Sequence, residues 1–211
     1  MTREEPMATI LERLSAKYPN ARYELDWTTP LELLVATILA AQCTDVRVNK
    51  VTKTLFPKYT SAAAFAEADT EELEQILVPT GAYKQKAKAV QEACRVIAKQ
   101  HGGEVPKTMD ELTALRGVAR KTANVVLNNA FDIPSGIIVD THVARVSQRM
   151  GITRNEKPEA IERDLMNQVP QERWTKFGPA MVLHGRYTCT AKAPQCGGCM
   201  FADICPRNGV E

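Results

Sequence analysis

Apolar residues recur at helical spacing along most of the chain. Met7, Ile10, Leu11 and Leu14 give a first stripe, and Leu31, Leu34, Val35, Ile38 and Leu39 give a second. Val48, Val51 and Leu55 form a third, which Pro57 stops. Thr70 is placed to cap a helix carrying Leu73, Ile76 and Leu77, ended by Pro79 and Gly81. Ala87, Val90, Cys94 and Ile97 mark a longer helix that closes at Gly102-Gly103. Thr108 and Glu111 have capping-box spacing just ahead of Leu112 and Leu115. Ala123, Val126, Leu127 and Ala130 follow. Val143, Val146 and Met150 stripe a helix ended by Gly151, Ile161, Leu165 and Val169 the next, and Trp174 to Tyr187 the last. Only Gly136-Ile137-Ile138-Val139 is ambiguous between strand and helix. The pattern predicts an all-α fold. Pro134-Ser135-Gly136 follows the longest helical block and reads as a hinge or as an ordinary loop.

Composition adds bounds rather than function. The chain has 211 residues, which allows one or two domains with a real core. Its hydrophobic fraction of 44% and charged fraction of 25% are ordinary globular values. A net charge of +2 does not by itself select a nucleic-acid partner. No apolar run approaches the roughly 18 residues of a membrane span. Met1 to Pro6 contains Glu4 and Glu5 and no apolar core, so it is not a signal peptide, and a cytoplasmic location is expected.

The sharpest chemical signal is C-terminal. Cys189, Cys196, Cys199 and Cys205 read C-x6-C-x2-C-x5-C. In a chain without a secretory signal, such clustering indicates a metal site before disulfides. Thiolates are soft ligands that suit iron–sulfur clusters or zinc, and the spacing alone leaves both open. Gly197-Gly198 allows a tight turn between the middle pair. Cys94 lies on an apolar stripe and belongs to the core.

A second signal is Leu115-Arg116-Gly117-Val118-Ala119-Arg120-Lys121-Thr122-Ala123. A capped helix ends near Leu115, Gly117 permits a reversal, and a new helix begins near Arg120. Backbone N–H groups at such a helix start can bind a phosphate, assisted by the helix dipole. Arg116, Arg120 and Lys121 add positive charge. The plain alternative is a helix turn with solvated basic residues.

At this point the chain resembles the endonuclease III family of helix-hairpin-helix DNA glycosylases. The resemblance rests on Ala41-Gln42-Cys43-Thr44-Asp45, Arg120 to Leu127, Val139-Asp140-Thr141-His142, His184 to Cys189 and the cysteine spacing. It implies a six-helix barrel domain over about residues 23–134, with the hairpin near 108–131. A helical domain would combine residues 1–22 with 135–211 and carry a structural [4Fe–4S] cluster on the four cysteines. The implied partner is double-stranded DNA containing damaged bases or abasic sites, bound by a monomer, nucleoid-associated in a bacterium, with no membrane role. The implied activity is removal of damaged bases, oxidised pyrimidines above all, followed by nicking of the abasic site.

The chemistry explains which residues would carry that activity. A base inside a duplex must be flipped out before its glycosidic bond can be reached. Base departure leaves positive character on the sugar, which a carboxylate stabilises. An amine can attack the same carbon, and the Schiff base so formed permits β-elimination of the 3′ phosphate. Lys121, in the first turn after the hairpin, is the candidate nucleophile; its ordinary alternatives are a solvent lysine or a phosphate contact. Asp140 is by position a helix N-cap, and the resemblance makes it the catalytic carboxylate as well. His142 reads as a local structural residue.

The resemblance also implies DNA contacts. Gln42 continues the Leu34–Ile38 stripe and reads either as a buried glutamine or as the side chain that fills the duplex gap after flipping. The loop Gly81-Ala82-Tyr83-Lys84 supplies a wedge at Ala82 and a charge at Lys84. Arg116, Gly117, Val118, Ala119 and Arg120 face the phosphate backbone, and Lys192 meets a phosphate beside the cysteines. Two departures stand out. Family hairpins commonly read Leu-Pro-Gly-Val-Gly, whereas Arg116 and Ala119 replace the proline and second glycine here. Ala82 replaces a larger apolar wedge. Alanine at 119 costs about 1 kcal/mol or more in a left-handed conformation, so the turn is either strained or relaxed into a form with poorer N–H alignment. Two other functions fit parts of the pattern. An adenine-mismatch glycosylase generally lacks the lysine and carries a further C-terminal domain, whereas this chain ends soon after Cys205. A non-catalytic DNA-binding module would retain only the hairpin.

Overall fold

The computed structural model describes residues 4–210, and the side chains from Pro6 onward. Met1–Arg3, part of the segment read above for a signal peptide, lie outside the described residues. The fold is built from helices, and no strand occurs among the described residues. No helix there is long and apolar enough to cross a membrane. The chain divides into two compact units, Glu24–Ser135 and Met1–Tyr23 with Gly136–Glu211.

The Glu24–Ser135 unit contains α2 (Pro30–Leu39), α3 (Asp45–Lys58), α4 (Ala62–Ala66), α5 (Thr70–Leu77), α6 (Tyr83–Gln100), α7 (Met109–Thr113) and α8 (Arg120–Ala130). Thr29 caps α2 by accepting from the Glu32 N–H, and Pro30 occupies the first turn, where its missing N–H costs nothing. Leu33, Leu34, Val35 and Leu39 are fully buried, as are Leu55, Leu73, Leu77, Val90 and Ile97 on neighbouring helices. Each such aliphatic side chain contributes about 1.5–3 kcal/mol by leaving water, which outweighs propensity in short helices. Ser135 ends this unit tied to α8. Its hydroxyl donates to Asn124 Oδ1 at 2.8 Å, and its N–H donates to Asn128 Oδ1 at 3.1 Å.

Three local expectations change. Asp69, not Thr70, caps α5: its side chain accepts from the Glu72 N–H at 2.9 Å, and Thr70 is the first helical residue. Both residue types cap well, so adjacent candidates are separated only by where the chain turns. α3 does not stop at Pro57 but runs to Lys58, with Pro57 inside its last turn. The short helix α4, capped by Ser61, carries too few apolar turns to announce itself in the pattern.

The other unit contains α1 (Glu4–Lys17), α9 (Thr141–Arg149), α10 (Pro158–Met166) and α11 (Trp174–Tyr187). Met7, Ile10 and Leu14 of α1 join Val143, Val146, Ile161, Leu165, Phe177 and Met181 in one core. Gly136–Val139 forms no strand. Its Ile137 and Ile138 are buried. Arg13 of α1 holds Asp203 in a two-point ion pair at 2.5 and 2.8 Å and donates to the Met200 carbonyl. The guanidinium holds the Asp203 carboxyl down at about 2. That contact fastens the first helix to the C-terminal cysteine segment.

Candidate functional site

Each unit carries its own group of candidate residues. In Glu24–Ser135 the group begins at a hairpin. Thr108 caps α7 by accepting from the Glu111 N–H at 3.3 Å, and its hydroxyl donates to the Glu111 carboxylate at 2.6 Å. Leu115 and Val118 are buried and anchor the turn from below. Between them Gly117 takes φ +79°, the left-handed conformation that glycine adopts freely. A Cβ at this position would lie 2.9 Å from the Ala89 Cβ, so the turn also packs too closely on α6 to admit one. The Val118 side chain is buried and is not available for contact with a ligand.

Ala119 is not strained: its φ of −84° and ψ of 168° are extended, a conformation open to any residue. Gly117 alone makes the left-handed turn of the hairpin. Ala119 precedes α8 and makes no side-chain cap. The first N–H groups of a helix have no intrahelical partner, so an uncapped start presents donors to an anion. Arg120 and Lys121 occupy this first turn, and both are exposed. Arg116 is exposed too, but its guanidinium pairs with Glu92 of α6 at 2.9 Å. Its charge is therefore partly answered within the protein. No local pattern along the chain announces that pairing.

Two more turns of this unit hold candidate residues. Gln42 is exposed with φ +54°, so the buried alternative is excluded: α2 ends at Leu39 and the stripe does not continue to residue 42. Ala82 is exposed with φ +46° and immediately precedes α6. Non-glycine residues reach this region at a cost of about 1–2 kcal/mol, and such strain clusters at functional sites. Lys84, in the first turn of α6, is exposed.

In the other unit, Asp140 caps α9. Its Oδ1 accepts from the N–H groups of His142 and Val143 at 2.8 and 2.9 Å, and its Oδ2 lies 3.1 Å from His142 Nδ1. The carboxylate is fixed by three contacts yet keeps 21% of its side-chain surface exposed. Gly185 of α11 makes the close packing behind it possible. A Cβ on Gly185 would come within 2.9 Å of the His142 Cβ. The buried Tyr23 hydroxyl is pushed well above its ordinary value, first by burial and then by the negative charge of Asp140.

The four cysteines follow α11 and line one pocket with Met150, His184 and Phe201. None is in a disulfide. Arg145 donates to the carbonyls of Gly185 and Cys189 at 2.7 and 3.0 Å. Arg149 donates to those of Thr190 and Ala191 at 2.7 and 3.0 Å, and its Nη1 lies 3.5 Å from Cys189 Sγ. The Phe201 N–H points at Cys199 Sγ from 3.4 Å. Burial pushes the thiols of Cys199 and Cys205 up, and the neighbouring cysteines add to this. His184 is held down at about 4 by burial, hence neutral near pH 7. Lys192 is exposed in the loop that Arg149 secures. Among the described residues, no three histidine, cysteine, aspartate or glutamate side chains are grouped to hold a single metal ion.

These features have relatives. The family model of HhH-GPD superfamily base excision DNA repair proteins matches residues 35–171. Endonuclease III of Synechocystis sp. is 51% identical over 205 residues, covering 97% of this chain and 94% of its own. The chain belongs to the endonuclease III family of HhH-GPD base excision repair proteins. Endonuclease III of Bacillus subtilis is 44% identical over 95% of this chain and 91% of its own. A solved non-covalent endonuclease III–DNA complex superposes with a TM-score of 0.92 at 42% identity, covering 98% of this chain and 96% of that one. The all-α helix-hairpin-helix glycosylase architecture expected from the sequence is thus the one observed.

The two hairpin positions should respond oppositely to substitution. Gly117→Ala meets both a left-handed backbone and the Ala89 contact, and should lower stability by about 1–3 kcal/mol in denaturant melts. Ala119→Gly relieves no strain and should leave affinity for an abasic-analogue duplex within about twofold at every salt concentration, since it adds no phosphate charge contact. Tighter binding by Ala119→Gly would mean that the DNA-bound turn departs from the extended conformation seen at residue 119.

Proposed function

We infer that this protein is a bifunctional DNA glycosylase and abasic-site lyase of base excision repair, acting on double-stranded DNA. The observation that carries the reading is the likeness over almost the whole chain to endonuclease III, including a trapped endonuclease III–DNA covalent intermediate with a TM-score of 0.91 at 42% identity. A covalent intermediate requires a nucleophile, and Lys121 supplies an exposed amine at the uncapped start of α8. An adenine-mismatch glycosylase or a binding module would leave that amine without a role. Oxidised pyrimidines are the proposed lesions.

In the proposed mechanism the damaged nucleotide is flipped out of the stack. The Lys121 Nζ lone pair forms a bond to sugar C1′ as the bond from C1′ to the base breaks. The base leaves with the bonding pair and takes up a proton. Asp140 stabilises the positive sugar as its bond to the base lengthens. Its N-cap hydrogen bonds hold the carboxylate in one orientation, so capping and catalysis reinforce each other. The C1′–O4′ bond then breaks, O4′ taking its electron pair and the proton that the attacking nitrogen gives up, which leaves a protonated Schiff base; a C2′ proton is lost to solvent, the C3′–O bond breaks with its pair, and the 3′ phosphate departs. Gln42 and Ala82 face the space left by the flipped nucleotide. Lys84, Arg120, Arg116 and the backbone of residues 117–119 are the proposed phosphate contacts of the Glu24–Ser135 unit, and Lys192 is a further proposed phosphate contact.

The four cysteine thiols suit a [4Fe–4S] cluster. They share a largely apolar pocket, are free of disulfides, and have N–H donors of Arg149 and Phe201 directed at two sulfurs. Cys189, Cys196, Cys199 and Cys205 would be the ligands. When bound, the group supplies a cross-link that fixes the loop bearing Lys192, and no step of base removal runs through it. Burial raises the free thiols of Cys199 and Cys205, which ligation would favour deprotonating.

Three experiments test these assignments. Lys121→Ala should abolish nicking of an abasic duplex and borohydride trapping while DNA binding persists. Asp140→Asn keeps an N-cap acceptor but loses the charge, so base release should slow by roughly a hundredfold, more than cleavage of a preformed abasic site. Full lyase activity in Lys121→Ala, or equal slowing of both steps in Asp140→Asn, contradicts the scheme. Anaerobically purified protein should be yellow-brown with about four irons per chain. A colourless protein holding one zinc refutes the cluster.

A further inference from the structure

Lys86 is an anomaly of the Glu24–Ser135 unit. It lies on the apolar stripe of α6, beside Ala87 and one turn before Val90, and is only 6% exposed. Among the described residues its ammonium donates to two carbonyls and pairs with no carboxylate. One is Leu39 O at 2.8 Å, the other Thr80 O at 2.7 Å. Burial lowers its proton affinity, and the nearby Cys43 thiol acts against that. A buried ammonium with only carbonyl partners is costly, and a solvent-facing lysine would avoid the cost. Its position therefore calls for a role.

The two carbonyls indicate the role. Leu39 is the last residue of α2, so its carbonyl is among those a helix leaves without an intrahelical partner. The negative end of the helix dipole favours a cation there. Thr80 closes the 3-10 turn Val78–Thr80 and is itself buried, with its hydroxyl donating to Leu77 O at 2.8 Å. Each carbonyl is followed within three residues by a left-handed, non-glycine, exposed residue: Gln42 after Leu39, and Ala82 after Thr80. Local bonds shape each turn, Cys43 N–H to Ala40 O at 3.1 Å and Gly81 N–H to Val78 O at 3.3 Å. These bonds fix each turn internally. Lys86 is a single group bonded to the base of both.

We propose that Lys86 is a positioning residue that clamps the Gln42 and Ala82 turns at a fixed separation, so that both side chains meet the duplex together when a nucleotide is flipped. This rests on the reading that those turns face DNA. The clamp matters most for paired lesions, where the stack must be opened. It matters little for an abasic site, which is already loosened. Neutral methionine matches the lysine in bulk and provides no donor.

Lys86→Met separates the clamp from general stability by two readouts. In the free protein, hydrogen exchange at the amides of Cys43 and Gly81 should accelerate at least about tenfold, while Val126 and Leu127 of α8 keep wild-type rates. On DNA, base release from a paired lesion should slow by about tenfold or more, while cleavage of a preformed abasic site stays within about threefold. If Lys86→Met does not fold, Lys86→Gln, with one short donor and no charge, takes its place under the same outcomes. Unchanged exchange at Cys43 and Gly81 overturns the proposal, and so does equal slowing of both reactions. Gln42→Ala distinguishes the underlying reading. If exchange accelerates, base release is unaffected, and Gln42→Ala also releases base at the wild-type rate, the turns do not act on DNA. If Gln42→Ala slows base release while Lys86→Met does not, the turns act but the clamp is wrong.

Discussion

Every α-helix leaves backbone donors at its start and backbone acceptors at its end without partners inside the helix. In this protein the candidate residues lie where those groups are answered or left open. Asp140 answers the start of α9 with its carboxylate. Lys86 answers the end of α2 with its ammonium. The start of α8 has no side-chain cap, and Lys121 stands there. At the end of α11, Arg145 and Arg149 gather the Gly185 carbonyl and those of Cys189, Thr190 and Ala191. The helical scaffold thus fixes the candidate groups through obligations of its own backbone, which is why short helices can hold them with little sheet or loop support.

This arrangement accounts for the economy of the proposed site. A carboxylate held by two N–H groups loses rotational freedom before substrate arrives, which is the preorganisation that electrostatic stabilisation requires. An amine at a helix start without a side-chain cap lies beside the positive end of the helix dipole, so the same turn can attract a phosphate and present a nucleophile. Glycine is indispensable where two helices or turns come close, at Gly117 against Ala89 and at Gly185 against His142.

Much of this was legible in the sequence because it is local. The Thr108–Glu111 cap, the Asp140 cap and the cysteine spacing each lie within a few residues, and their side chains act on adjacent backbone. Helix periodicity placed most elements for the same reason. What escaped depends on longer reach or on exact turn geometry. Arg116 pairs with Glu92 from another helix, and no pattern near either residue announces it. The backbone at Ala119 is extended because Gly117 already makes the reversal, so a motif comparison alone suggested strain that is absent. Lys86 has no local signal that would assign it a role, because its carbonyl partner Leu39 lies 47 residues away and only Thr80 belongs to the turn just before α6.

The account turns on one covalent bond, between Lys121 Nζ and the sugar. It is tested most directly by reducing the Schiff base with borohydride on a lesion-containing duplex, digesting the adduct, and locating the sugar remnant by mass spectrometry. The account predicts a single modified peptide carrying the remnant on Lys121. A remnant on any other lysine, or on the N-terminal amine, would contradict it.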